Sequence, residues 1–336
     1  MCPVTSAQSS NCLLVGASRI RNCSLCLVLC FSAGGFGQVV SAPARNLIAV
    51  PVLVEGRSGE IAYDLSAGDF SIKDDGIEQK VLPVDPVQRP LSLVLVIQTG
   101  HDVAAQLKKI GRLDSLLDSF LTGPTDQAAI VTFDSSVFLL QDFTANADLI
   151  SKKLSKVQPG NAGASLFDAL SMATKLLSQT PVTNSRVILL ISREHDHGSF
   201  TSDAGSVVRG VASVGVSVYS LTSTAGKKEL LTSLRSFNPM AMKGSAMQKN
   251  TPEALAELTG GDFYHFSTEK DFEDRTTEIA DHIHNRYCLS FLPSHPNPGF
   301  HFLQVEVHRD KTNVVSARSG YWIPITGEPE NSRTGK

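Results

Sequence analysis

The apolar positions along the chain change rhythm twice, and each change marks a different kind of structure. From Asn46 to about Pro86 they alternate: "NLIAVPVLVEG" runs into the polar turn "GRSGE", and two short apolar runs flank "DDG", a hairpin signal. From Leu91 to about Ser223 the rhythm is buried strand followed by helical stripe. Apolar runs at "LSLVLVI" (91–97), "AAIVTFD" (128–134), "RVILLIS" (186–192) and "VSVYSL" (216–221) alternate with helical spacing over 103–121, near 147–157, over 166–179 and over 203–213. Strands that are apolar throughout have both faces covered. The pattern therefore predicts an α/β fold with a doubly wound, mostly parallel sheet. In such a sheet ligands meet the loops at the carboxyl ends of strands. Three loops qualify: 98–102, 160–165 and 193–199.

The last third is mixed. "KKELLTSLRSF" (227–237), "TPEALAELTGG" (251–261) and "EKDFEDRTTEIADHIHNRY" (269–287) read as helices, the first two separated by a loop over 238–250. Three strands follow, in "YCLSFLP", "HFLQVEVHRD" and "NVVSARSGYWIPI". The N-terminal strands alone are too few to hold a core, so the two ends of the chain are expected to pair into one β unit. The resulting division is a leader at 1–43, N-terminal strands at 44–88, the α/β domain at 89–286, C-terminal strands at 287–325 and a polar tail at 326–336.

Composition changes this picture in one place. Residues 1–43 hold Arg19 and Arg21, no acidic residue, and an apolar run from Cys23 that grades into small residues, with "VVSAPA" (39–44) as a cleavage zone. That is the order of a secretory signal, and it implies a secreted, periplasmic or cell-envelope protein with no membrane span in the mature chain. Five of the six cysteines lie in this segment, leaving Cys288, which is read as a small buried hydrophobe. Without Arg19 and Arg21, 28 of the 30 basic residues face 33 acidic ones, so the net charge falls from −3 to −5. Such a balance gives no electrostatic case for nucleic acid.

The three loops carry a resemblance. The apolar strand before "QTGHD", then "GASLFDAL", then "VILLISREHDHGS", is similar to a von Willebrand factor type A domain. The flanks "DLSAGDFSIKDDGIEQKV", "LAELTGGDFYHF" and "RYCLSFLP…FLQVEVHRDKTNVVSARSGYW" resemble the exported bacterial VWFA-related Acidobacterial domain proteins, over roughly residues 46–323. In most type A domains an Asp, two Ser, a Thr and a second Asp form a metal-ion-dependent adhesion site, a set of hard oxygens suited to Mg²⁺. Carried over by position, these fall on Gln98, Gly100, Asp102, Ala164 and Arg193. The resemblance thus implies a degenerate site: Gly100 and Ala164 offer no side-chain oxygen, and Arg193 is permanently cationic.

The expectation is a non-enzymatic module with no cofactor, Mg²⁺ and Ca²⁺ included, that binds a protein ligand. Its contact rim would comprise Gln98, Gly100, Asp102, Ala164, Ser165, Arg193 and Asp196. An Asp102–Arg193 ion pair at the old metal position stands beside the plainer reading of two solvated loop residues. Alternatives are a metal-dependent receptor in which Asp102, Ser165, Asp196 and water rebuild a cation site, and a scaffold subunit of an envelope assembly. His195 and His197 flank Asp196, but lack further soft ligands nearby. His282 and His284 should point to different faces of their helix. No nucleophile elbow, metalloprotease helix, P-loop or dinucleotide fingerprint is present. Trp322 and Tyr321 are expected in the core of the β unit.

Overall fold

The computed structural model describes residues 47–82, 89–100, 113–193, 195–223, 250–309 and 314–325, with Val103, Leu107 and Ile110. The segments 1–43, read as a leader, 227–237, read as a helix, and 326–336, read as a tail, fall outside the described residues. Among the described residues no helix is long and apolar enough to cross a membrane.

The central third forms a six-stranded sheet. Its strands are β4 (Leu91–Gln98), β5 (Gln127–Phe133), β6 (Val137–Thr144), β7 (Ser185–Ser192), β8 (Ser217–Ser223) and β9 (Phe263–Phe266), in the order β6-β5-β4-β7-β8-β9. All are parallel except β6, which pairs antiparallel with β5 at one edge. β4 is fully buried because its alternate side chains feed two cores. Val94 and Val96 pack under the helices Leu166–Ser178 (α3), Ala204–Val214 (α4) and Thr251–Thr259 (α5). Leu93, Leu95 and Ile97 pack under Leu113–Phe120 (α1), Ala147–Leu154 (α2) and Glu269–His284 (α6). The mostly parallel, doubly wound α/β sheet expected from the apolar runs is present.

The two ends of the chain form a second core. Strand β1 (Ile48–Glu55) pairs antiparallel with β10 (Tyr287–Phe291) on one side and β12 (Val314–Ala317) on the other. Strands β2 (Phe70–Asp74), β3 (Ile77–Gln79), β11 (Gly299–Val307) and β13 (Gly320–Ile323) make a four-stranded sheet in the order β13-β11-β2-β3. Val50, Val52, Val54, Ile72, Phe291 and Tyr321 come from both sheets into one apolar cluster, so the unit is a small sandwich. Asp75 and Gly76 connect β2 to β3 with φ of 49° and 82°, the two-residue turn that "DDG" signalled.

Three expectations need correction here. The single strand read in "NVVSARSGYWIPI" is two strands in different sheets, because Arg318 breaks it. Its buried guanidinium donates to the carbonyls of Gly320 (2.9 Å) and Ala212 (2.7 Å), and burial pushes its pKa down to about 10. Cys288 is half-buried and lies 2.9 Å from Arg89 Nη1, so it meets a cation at the domain boundary as well as apolar neighbours. Tyr321 is in the core, but Trp322, one residue on, points to the other face of β13 and is only half-buried.

Where the sandwich meets the α/β domain, α6 carries a buried polar cluster. His282 Nδ1 lies 2.8 Å from Asp262 Oδ2 and its Nε2 lies 3.8 Å from Glu55 Oε1. Burial pushes the imidazole pKa down, but the hydrogen bond to Asp262 and the charges of Asp262, Glu55 and Glu278 outweigh it and raise it above the ordinary value. A histidine whose pKa rises on folding stabilises fully below its unfolded value, about 6.5, and this contribution is lost as pH climbs through the raised one. Wild type should therefore exceed His282→Gln in stability most at about pH 6, with the margin shrinking by about pH 9. Paired denaturation midpoints at the two pH values check this; a margin that grows with pH would contradict the sign. His284 turns the other way, with Nε2 3.0 Å from the Ser119 carbonyl, so the two histidines share no site.

Candidate functional site

The carboxyl ends of β4, β5 and β7 converge where the strand order reverses, with β5 on one side of β4 and β7 on the other. This is the switch-point crevice of a doubly wound sheet. Around it stand the loops after β4, after β5, before α3 and after β7.

The loops are tied together by polar groups at the sheet edge. Gln98, 1% exposed, accepts the backbone N–H of Arg193 through Oε1 at 2.8 Å, joining the ends of β4 and β7. Thr99 donates its N–H to Phe133 O (2.7 Å) and accepts from Gly160 N (2.6 Å). Asp134, 3% exposed at the end of β5, accepts the N–H groups of Ser136 and Asn161, each at 2.8 Å. Gly160 has no room for a side chain, since a Cβ there would fall within 3.0 Å of the Asp134 carboxylate. Two further carboxylates fix the loop after β7 against the N-terminus of α3. Asp196 Oδ1 accepts from Phe167 N (3.2 Å) and from the Ser199 hydroxyl (2.6 Å), while Ser199 Oγ accepts from Asp168 N (3.1 Å). Asp168 accepts in turn from Phe200 N (2.9 Å), Thr201 N (3.1 Å) and the Thr201 hydroxyl (2.6 Å). Burial pushes the Asp168 carboxyl pKa up, but the hydrogen bonds from Thr201, Phe200 and Ser202 outweigh it and hold it below the usual range.

The residues singled out from the sequence divide clearly. Gln98, Gly100, Ala164 and Ser165 are all buried, so they frame the rim and offer a partner no surface. Ala164 O accepts from His197 N (2.8 Å) and Ser165 Oγ donates to Gly198 O (3.1 Å), which pins the loop before α3 to the loop after β7. Arg193 and Asp196 are half-buried. Asp102 lies outside the described residues, and with it the proposed pairing to Arg193. Among the described residues the surface is made by His195 and His197, which the sequence weighed only as metal ligands, and by Ser135, Ser136, Asn161, Ala162 and above all Phe200, 89% exposed, which it did not single out. Asp134, Asp168, Thr99 and Ser199 were also missed. The only signal was a carboxylate closing an apolar strand in "AAIVTFD" and another in the first turn of α3.

Among the described residues, the carried-over positions leave few side-chain oxygens for Mg²⁺ at the usual place. Gly100 and Ala164 bring no side-chain oxygen, Gln98 Oε1 holds a backbone amide, and the oxygens of Ser165 and Asp196 have partners within the loops. What the arrangement supplies is a rigid loop platform with an aromatic ring on it.

Residues 93–195 match the family model described as von Willebrand factor type A domain. No curated protein matches the chain. Among solved structures, BatB from Bacteroides thetaiotaomicron is 14% identical, with a TM-score of 0.42, over 57% of this chain and 98% of that one. The vWF domain of the type V pili tip protein Mfa5 from Porphyromonas gingivalis is 11% identical, with a TM-score of 0.44, over 59% and 96%. Proximal thread matrix protein 1 from the mussel byssus, with a zinc-occupied MIDAS motif, is 15% identical, with a TM-score of 0.43, over 60% and 47%. The matched span runs from the central strand β4 to the loop after β7, and so covers the three strand ends that build the rim: the chain carries a von Willebrand factor type A domain, set between the strands of a β-sandwich.

Proposed function

We propose that this protein is an exported, non-enzymatic interaction or adhesion module that grips a protein ligand with its loop rim, without Mg²⁺ or Ca²⁺ there. One observation carries the reading. Phe200 is 89% exposed on a loop whose backbone is held by Asp168 on both sides of the ring's attachment. Exposing an aromatic ring to water is unfavourable, while fixing its backbone in advance lowers the entropy lost on binding. An aromatic anchor with those properties is what a binding hot spot needs. Export rests on the leader-like segment at 1–43, and the non-enzymatic reading on a sequence without a nucleophile elbow, metalloprotease helix, P-loop or dinucleotide fingerprint.

The test is capture from envelope fractions by wild type, Phe200→Ser and Arg193→Asp, followed by calorimetry with the captured protein. Phe200→Ser should cost about 2 kcal/mol, roughly 30-fold in Kd, and leave thermal stability unchanged. Capture should be equal in Mg²⁺ and in chelator. A ligand held equally by all three proteins would place recognition elsewhere on the molecule.

A further inference from the structure

In the sandwich, the β2–β3 turn and strand β11 bring three metal-ligating side chains together. Asp74 ends β2, Asp75 opens the turn and His301 lies in β11, and one ligand atom from each lies within 4.8 Å of the others. Asp74 and His301 are each only 4% exposed, a depth at which polar atoms need partners.

Each side chain is aimed by its other polar atom. Tyr321 Oη donates to Asp74 Oδ2 at 2.9 Å, and Phe302 N donates to Asp75 Oδ1 at 2.9 Å. His301 Nε2 lies 2.7 Å from the Asn297 carbonyl. A carbonyl only accepts, so Nε2 carries a proton and the neutral ring keeps its lone pair on Nδ1. The Tyr321 ring stacks on the imidazole at 4.8 Å and 17°, which fixes the ring plane. Three atoms are left to converge: Asp74 Oδ1, Asp75 Oδ2 and His301 Nδ1. The first and last are fully buried without hydrogen-bond partners.

The spacing discriminates between a proton and a metal. Nδ1 lies 3.0 Å from Asp75 Oδ2 and 3.3 Å from Asp74 Oδ1, yet neither oxygen sits where a proton on Nδ1 would make a hydrogen bond. An imidazolium–carboxylate pair wants its oxygen along the N–H axis. A cation on that axis wants the oxygen to one side. With bonds of about 2.1 Å, neighbouring ligand atoms stand about 3.0 Å apart at octahedral angles and about 3.4 Å apart at tetrahedral ones. The observed distances have that size. A histidine that gives its second N–H to a backbone carbonyl, beside carboxylates each held by a further hydrogen bond, is the usual way ligands are oriented around a metal.

We propose that Asp74, Asp75 and His301 bind a divalent transition-metal ion, Zn²⁺ or Mn²⁺. The nitrogen donor favours such ions over Mg²⁺ and Ca²⁺, and two carboxylates balance the charge. Asp75, on the exposed side, leaves the remaining positions to water. The ion clips the β2–β3 hairpin to β11, with no ligand drawn from the loop rim.

The experiment titrates the whole chain with Zn²⁺ by calorimetry and with Mn²⁺ by electron paramagnetic resonance, beside two conservative variants. Asp75→Asn keeps an oxygen for the Phe302 amide and tolerates positive φ, so the hairpin survives while the anionic ligand is lost. Tyr321→Phe removes only the bond that aims Asp74. Wild type should bind one ion per chain, Asp75→Asn should weaken binding by roughly 100-fold or more, and Tyr321→Phe by about 10–100-fold. No saturable binding by wild type at millimolar metal, or equal binding by wild type and Asp75→Asn, would overturn the proposal and leave an imidazolium–carboxylate pair. Phe200→Ser should bind the ion as wild type does, so failure at this site and failure at the rim are separable.

Discussion

Replacing Gly260 by alanine is expected to cost about 4 kcal/mol, a large part of what holds an ordinary domain folded. Gly260 ends α5 in the left-handed conformation, with φ of 72°, and its N–H closes the helix on Ala256 O. An L-residue in that conformation costs about 1–2 kcal/mol. The added Cβ would also fall within 3.0 Å of the Ala317 Cα and carbonyl carbon and of the Arg318 nitrogen. Those are backbone atoms with little freedom to retreat, since Arg318 is anchored to Ala212 O and Ser319 N donates to Leu258 O at 3.0 Å. Overpacking of this kind adds about 1–3 kcal/mol. Urea denaturation of wild type and variant gives the difference directly. A loss below about 1 kcal/mol would mean that the sandwich shifts on the α/β domain at little cost.

Asp134→Ala should also be strongly destabilising, costing about 3 kcal/mol. The carboxylate receives two backbone N–H groups while 3% exposed, and charge-assisted bonds of this sort are worth about 1.5–3 kcal/mol each. Truncation strands both donors at the base of the rim. Asp134→Asn keeps one accepting oxygen and should lose about half as much. Amide hydrogen exchange localises the effect: Asn161 and Ser136 should exchange far faster in the alanine variant. If their protection is unchanged, the carboxylate is not what holds the loop before α3.

What could be read from the sequence was set by how local the signal is. Strand β4 was legible because a strand buried on both faces leaves an unbroken apolar run, and the α3 stripe because its period fits a helix. The pairing of β1 with β10 and β12 follows the same logic more loosely, since each end of the chain had apolar strands with too small a core of their own. Arg318 hid the division between β12 and β13, because the carbonyl it binds, Ala212 O, lies 106 residues away. Exposure along the rim is hidden for a related reason. Family correspondence points to Gln98, Ala164 and Ser165, but burial decides which residues a partner can touch, and Phe200 lies just beyond the matched span. Asp74, Asp75 and His301 meet only through the pairing of β2 with β11, which no spacing along the chain reveals.

The sandwich also sets how the molecule would carry tension. The described chain enters through β1 and leaves through β13, and both strands belong to the sandwich. A pull between those ends is resisted first by the antiparallel pairings of β1 with β10 and β12 and of β13 with β11. The six-stranded sheet is looped off between β3 and β10, outside the direct line of force. Its rim lies at the carboxyl ends of the strands, whereas Arg318 and Ser319 of the sandwich grip α4 and α5 at Ala212 and Leu258, toward the opposite edge. A load applied at the rim would then pass to the sandwich through those contacts at Ala212 and Leu258.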